Sequence, residues 1–236
     1  MLFRSLVDRR DVAMAAGHSL GEYSALVFAG AMSFEDGLKL VRLRGESMQR
    51  AGEEQHGTMA AIVGLASPVV EELCADASAA GIVQCANFNS PGQIVISGSV
   101  LGVHKAMELA KAKGAKLVKE LVVSGAFHSP LMQSAREGLE KALLETPVTD
   151  AQIPVYANVT AKAVQKAEEI RTLLAAQLTS AVRWEESVSA MAAAGASEFV
   201  EIGPGKVLQG LVKRIAPGAK VRGIDTMSDV EQQTSA

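Results

Sequence analysis

The stretch Val12-Ala13-Met14-Ala15-Ala16-Gly17-His18-Ser19-Leu20-Gly21-Glu22-Tyr23-Ser24-Ala25-Leu26 constrains this chain more than any other. A short apolar run ends at Gly17, one serine stands between two glycines, and a helix-like run follows. A serine there packs badly, so packing does not explain it. A buried strand over 12–16, a sharp turn and a helix over 20–29 supply the context in which G-x-S-x-G is a nucleophile elbow. The turn forces the serine into a strained backbone conformation, and Gly17 and Gly21 are expected to remove the side chains that would obstruct it. Ser19 Oγ is then lifted to a helix N-terminus, where the dipole and the free N–H of Leu20 can stabilise an oxyanion. The competing reading is a glycine-rich turn in which Ser19 is only a helix cap. The flanking strand and helix favour the nucleophile.

The rest of the chain reads as α/β. A helix over 34–51 carries acidic residues in its first turn. Between 57 and 123 the order is β-α-β-β-α-β: TMAAIVGL, PVVEELCADASAAG, IVQCANFN, QIVISGS, GVHKAMELAKAKG and AKLVKELVV, with turn signals at Ser90-Pro91-Gly92 and Gly114. That is the pattern of a ferredoxin-like split unit inserted into the fold. Afterwards the α/β texture resumes: helix 131–144, strand 153–159, helices 168–178 and 184–195, strand 197–203, helix 206–215, strand 221–225 and a frayed tail.

Composition excludes several classes. The net charge of -3 gives no electrostatic case for nucleic acid. Cys74 and Cys85 form neither a disulfide framework nor a zinc motif, which points to a reducing cytoplasm. The N-terminal stretch is broken by Arg4, Asp8, Arg9, Arg10 and Asp11 and has no signal-peptide core, and no run has the length of a membrane span.

A serine nucleophile needs a base. Of four histidines, His18 adjoins Ser19 and points elsewhere as a positioning residue, His56 lies in the charged loop GEEQHG, and His104 sits in a lysine-rich helix. His128 follows LVVSGAF and precedes Ser129-Pro130, in a loop between a strand end and a helix, where catalytic groups gather. A capping or packing histidine is the alternative. No acid lies in a strand-end loop of the outer α/β part between Ser19 and His128, so a main-chain carbonyl is left as a possible orienting group. On a helical wheel for 34–51, Phe34, Leu38, Val41 and Met48 share a face that Leu40 and Leu43 widen, and Arg44 falls inside it. An arginine there either snorkels or holds a buried anion, and a carboxylate-bearing substrate would suit its planar fork.

The segments GHSLGEYSAL, LVRLRGESMQ, NFNSPGQIVISG, VSGAFHSPLM, VRWEESV and EIGPGKVLQGLVKRI occur in that order between about residues 12 and 225. Together they resemble the malonyl-CoA:acyl carrier protein transacylases. The resemblance implies an α/β-hydrolase-like core over 1–55 and 124–236, with a ferredoxin-like (βαββαβ) subdomain over 56–123. It implies Ser19 as the acylated nucleophile, His128 as general base, Leu20 in the oxyanion hole, Arg44 as partner of the malonyl carboxylate, and the Gln177 main-chain carbonyl as the group that orients the histidine. Phe127 in GAFH resembles malonyl-selective members. The implied partners are malonyl-CoA and acyl carrier protein. A monomeric cytoplasmic enzyme without cofactor or metal is expected.

Two departures stand out. Family members begin with a strand ending in Gly-Gln-Gly-Ser-Gln, whose second residue donates another oxyanion N–H, followed by further helices. This sequence reaches its elbow at Ser19 without that stretch, so the first strand and helices of the core are expected to be missing and activity or stability to be low. Ala181 stands where SPVRW is common and is expected to be harmless. A serine thioesterase, and a carrier-binding remnant without catalysis, are the rival readings. Lys111, Lys113, Lys116, Lys119, Lys206, Lys213 and Arg214 are candidates for docking an acidic carrier protein.

Overall fold

The structure, a computed structural model, describes residues 11–234, and most of the charged N-terminal stretch weighed above lies outside them. In chain order the elements are β1 (Ala15–Ala16), α1 (Gly21–Phe28), α2 (Phe34–Glu54), β2 (Gly57–Val63), α3 (Ser67–Ala77), β3 (Val83–Ser90), β4 (Gln93–Ser99), α4 (Val100–Ala112), β5 (Leu117–Glu120), α5 (Gln133–Glu145), β6 (Val155–Tyr156), β7 (Ala163–Val164), α6 (Ala167–Gln177), α7 (Trp184–Ala193), β8 (Glu198–Ile202), α8 (Val207–Ile215), β9 (Lys220–Ile224) and α9 (Met227–Thr234). The mixed α/β class read from the sequence is the class observed.

Local chemistry sets the helix starts. Ser33 caps α2 by accepting from the Asp36 N–H at 3.0 Å, and Glu35 and Asp36 place negative charge at its positive end. Pro68 sits in the first turn of α3, where its missing N–H costs nothing. Ser99 caps α4 through the Gly102 N–H.

The four strands β2 to β5 form one antiparallel sheet in the order β3-β4-β2-β5. Alternation sends Ile62, Ile94 and Ile96 to the face covered by α3 and α4, where they meet Leu73 and Val103. On the opposite face Met59, Ala86 and Val95 pack with Leu121, Val123 and Phe127. Phe127 also packs against the second large apolar cluster, which joins α1, α2, α5 and α6 through Leu26, Leu40, Leu139, Leu143, Leu174 and Leu178. Val182 ties the two regions by main chain: its N–H donates to Ala86 O at 2.8 Å, and its carbonyl accepts from Phe88 N at 2.9 Å. β1 pairs in parallel with β6, β6 antiparallel with β7, and β8 in parallel with β9.

Several expectations are corrected. The strands read over 12–16 and 153–159 carry ladder pairing at only two residues each. The last strand of the four-stranded sheet stops at Glu120, short of 123. The tail read as frayed forms α9, and β7 has no counterpart in the sequence reading. On α2 the buried stripe is Gly37, Leu40, Arg44, Met48, Ala51 and Gly52, whereas Phe34 and Leu38, assigned to the apolar face, are exposed.

Candidate active site

Gly17 ends β1 at a turn too tight for any side chain: a Cβ there would lie 2.0 Å from Gly21 C and O. Gly21 differs from the expectation, because a Cβ on it would meet nothing within 4 Å. The strain falls on Ser19, whose φ is +52°, in the left-handed region. Asn158, two residues beyond β6, holds both arms of the turn. Its Oδ1 accepts from Ser19 N at 2.7 Å, and its Nδ2 donates to Gly17 O at 2.7 Å. Ser19 Oγ is thereby set at the start of α1. The Leu20 N–H there has no hydrogen-bond partner among the described residues.

His128 Nε2 lies 2.8 Å from Ser19 Oγ. Its Nδ1 lies 2.9 Å from Gln177 O. A carbonyl can only accept, so Nδ1 carries the proton and the Nε2 lone pair faces the serine hydroxyl. No carboxylate takes the orienting place. Burial pushes the imidazole pKa down to about 4, against the pull of the Gln177 carbonyl, so the ring is neutral near pH 7. His128 also has a positive φ, +56°, and its own carbonyl accepts from Gln84 Nε2 at 2.9 Å.

Arg44 comes from the middle of the buried stripe of α2 and is 4% exposed. Its Nη2 donates to Ser19 Oγ at 2.8 Å and to Gln177 Oε1 at 3.1 Å. The two contacts on Ser19 Oγ are compatible, since the hydroxyl donates to His128 and accepts from Arg44. Arg44 Nε is buried and has no partner among the described residues. Burial lowers the guanidinium pKa from its ordinary value, yet the group keeps its charge. A buried cation with a spare donor beside a strained serine can receive an anion.

All five residues singled out in the sequence therefore meet: Ser19, Leu20, Arg44, His128 and the Gln177 carbonyl. His18 turns away, its Nε2 2.9 Å from Asn89 Oδ1 and its ring 5.6 Å from that of Trp184. His104 pairs with Glu120 at the surface. Cys74 and Cys85 are buried and free. Sequence reasoning missed Asn158, and it set Glu22 aside with the other acids that lie on helices; the structure buries that carboxylate. Glu22 follows Ser19 by three residues, one helical turn, and is the acidic interruption of an apolar run; Asn158 closes the apolar strand signal. Two clefts of about 270 and 350 Å³ lie beside Glu71, Phe88 and Arg183, and neither is lined by Ser19, Leu20, Arg44, His128 or Gln177.

A family model described as the acyl transferase domain matches residues 10–231. The chain belongs to the acyl transferase domain family. Among relatives in this family, the malonyl CoA-acyl carrier protein transacylase of Bacillus subtilis is 47% identical over 217 residues, covering 92% of this chain and 68% of that protein. The Escherichia coli K12 protein of the same description is 45% identical over 203 residues, covering 86% of this chain and 66% of that one. The chain thus spans about two thirds of the length of the curated relatives it matches. The acyl-carrier-protein S-malonyltransferase structure from Bartonella henselae superposes with a TM-score of 0.91 at 43% identity, over 96% of this chain and 72% of that one. A solved complex described as a type II PKS acyl-carrier protein with its malonyl-transacylase gives 0.89 at 41%, over 95% of this chain and 73% of that chain. The acyl transferase family accordingly supplies both fold and enzyme class. Among the described residues no helix is long and apolar enough to cross a membrane.

Proposed function

We propose that the chain transfers a malonyl group from malonyl-CoA to the phosphopantetheine thiol of acyl carrier protein through a malonyl ester on Ser19. The observation that carries this reading is Arg44, a buried guanidinium whose Nε has no partner among the described residues and whose Nη2 touches the serine hydroxyl. It fits an acyl group that ends in a carboxylate.

In the first half-reaction Ser19 Oγ attacks the thioester carbonyl carbon as its proton passes to His128 Nε2. The Gln177 carbonyl, holding Nδ1–H, stabilises the imidazolium that forms. The oxyanion develops against the Leu20 N–H at the positive end of α1. When the C–S bond breaks, the CoA sulfur takes the proton from Nε2. In the second half the carrier's thiol gives its proton to His128 and attacks the ester, and Ser19 Oγ leaves with that proton. Arg44 exchanges its contact with Ser19 for the malonyl carboxylate, and Phe127, packed between two apolar clusters, stands where malonyl-selective members carry a bulky residue.

We read the chain as an α/β-hydrolase-like core over 1–55 and 124–236 with a ferredoxin-like subdomain over 56–123. The strand order β3-β4-β2-β5 and the separate apolar cluster beneath α3 and α4 support that division. The exposed Lys111, Lys113, Lys116 and Lys119 offer positive charge to an acidic carrier.

Incubation with malonyl-CoA, with and without carrier protein, tests the reading. The expected result is a persistent acyl-enzyme that only the carrier's thiol discharges. Rapid release of free malonate without an acceptor would make the chain a thioesterase and overturn it.

A further inference from the structure

Glu22 is 3% exposed and touches neither Ser19 Oγ nor His128, so the chemistry above does not use it. Its Oε2 accepts from Gln177 Nε2 at 2.7 Å and from Asn158 N at 3.1 Å. Both partners are themselves joined to the site. Gln177 has three roles: its main-chain carbonyl takes His128 Nδ1–H, its Oε1 takes Arg44 Nη2, and its Nε2 reaches Ser19 O at 3.0 Å as well as Glu22. Asn158 clamps the turn on either side of His18.

The orientation of the Gln177 amide follows from what surrounds it. One end faces Glu22 Oε2, the Ser19 carbonyl and, at 3.5 Å, Asn158 Oδ1, all acceptors toward it, and the other end faces a guanidinium, which can only donate. The NH₂ must point to Glu22 and the oxygen to Arg44. Remove the Glu22 oxygen and the shortest of the three contacts that select this orientation is gone, leaving the Ser19 carbonyl at 3.0 Å and Asn158 Oδ1 at 3.5 Å. The Asn158 N–H is left buried without its partner as well.

We propose that Glu22 is a positioning residue for the catalytic pair: its buried carboxylate locks the Gln177 side chain and the Asn158 backbone, and through them the aim of Arg44, the seat of His128 and the strained turn at Ser19. Burial holds the Glu22 pKa up to about 7, against the Gln177 and Asn158 donors and the Arg44 charge. Oε2 is occupied by two N–H donors, so a proton on this group resides on Oε1 and leaves the lock in place. The lock needs an oxygen acceptor at Oε2, not a charge.

This inference rests on reading Ser19 and His128 as nucleophile and base, and its test is independent of malonyl chemistry. Ser19 is labelled with a fluorophosphonate: the Oγ–P bond forms, fluoride leaves, and His128 takes the serine proton. The His128 Nδ1 proton resonance is followed alongside by NMR. Glu22→Met keeps the volume and removes the acceptor, so labelling is expected to slow about 10–100-fold and the Nδ1 proton resonance to shift or broaden. Glu22→Gln keeps an acceptor oxygen and is expected to retain labelling within about 3-fold. A folded Glu22→Met protein with the wild-type labelling rate and an unmoved Nδ1 resonance overturns the proposal, as does loss in Glu22→Gln equal to that in Glu22→Met. Should Glu22→Met fail to fold, Gln177→Met severs the same link from the other side while leaving the main-chain carbonyl on His128. Wild-type labelling in that variant equally overturns the proposal. Labelling that follows this pattern in a protein that malonyl-CoA does not acylate would remove the malonyl reading and leave the positioning role standing.

Discussion

The four-stranded sheet and the serine turn lie side by side and are held together by opposite means. In the sheet, β2 and β4 pair over seven consecutive residues, Gly57–Val63 against Gln93–Ser99, and the space beneath α3 and α4 is filled by apolar side chains such as Ile62, Leu73, Ile94 and Ile96, each at most 1% exposed. Around Ser19 the ladder between β1 and β6 has two residue pairs, and the buried groups include Glu22, Arg44, His128, Asn158 and Gln177, each at most 4% exposed. The first region needs only hydrophobes of the right volume in the right period. The second needs particular donors and acceptors, because an unpaired polar group in that setting costs more than a lost methyl. The buried polar network lies next to strained backbone at Ser19 and His128, the two residues that the proposed function makes nucleophile and base.

The sharpest way to break the comparison is at Arg44. Arg44→Met should cut kcat/KM for malonyl-CoA about 10²–10³-fold, within the 2–5 kcal/mol expected when the partner of a buried charge is lost. A substrate whose acyl group lacks the carboxylate should be affected far less, and steady-state kinetics with malonyl-CoA and acetyl-CoA measure the split. The mirror-image change is Ile94→Ala in the sheet. It should lower stability by about 2–5 kcal/mol through cavity formation. Below its melting temperature, fluorophosphonate labelling of Ser19 should stay unchanged, because no polar partner of the site is touched. If labelling falls in proportion to stability, the two regions are not separable in this way.

The smallest effect is on pH dependence, where two groups of the site act with opposite sign. His128 is held at about 4 against an ordinary 6.5, so between those values the unfolded chain binds a proton the fold refuses; its contribution is full above pH 6.5 and is lost as pH falls toward 4. Glu22 is held at about 7 against an ordinary 4.5, so the fold keeps a proton the unfolded chain releases; its contribution is full below pH 4.5 and is lost as pH rises through 7. Melting temperatures from pH 4 to 8 should therefore change little between 4.5 and 6.5, where the two slopes oppose. Glu22→Gln should steepen the rise of stability with pH over that window by removing the opposing term. An identical pH profile in wild type and Glu22→Gln would show that Glu22 does not titrate there.

What could be read from the letters follows the same division. The sheet's strands were legible because short apolar runs bounded by Ser90-Pro91-Gly92 and by glycine stops are local signals. Ser19 was legible because its strain demands Gly17 in the sequence itself. His128 emerged by elimination, and Arg44 because a charge inside an apolar face is conspicuous. The Gln177 carbonyl came from the resemblance to the transacylase family, not from its spacing. Asn158 and Glu22 were not legible. Their partners lie 139 residues away for Asn158 and Ser19, and 155 for Glu22 and Gln177, and no periodicity encodes a hydrogen bond at that range. The short β1 and β6 strands were overestimated for a related reason: an apolar run shows burial, whereas ladder length depends on neighbours that the run does not name.

The proposed function turns on where the acyl group would rest between donor and acceptor. Acid quench after mixing with malonyl-CoA, followed by mass-spectrometric peptide mapping, measures that directly. One malonyl ester on the peptide carrying Ser19, absent in Ser19→Ala, is the expected result; no adduct, or an adduct on a different side chain, would contradict it.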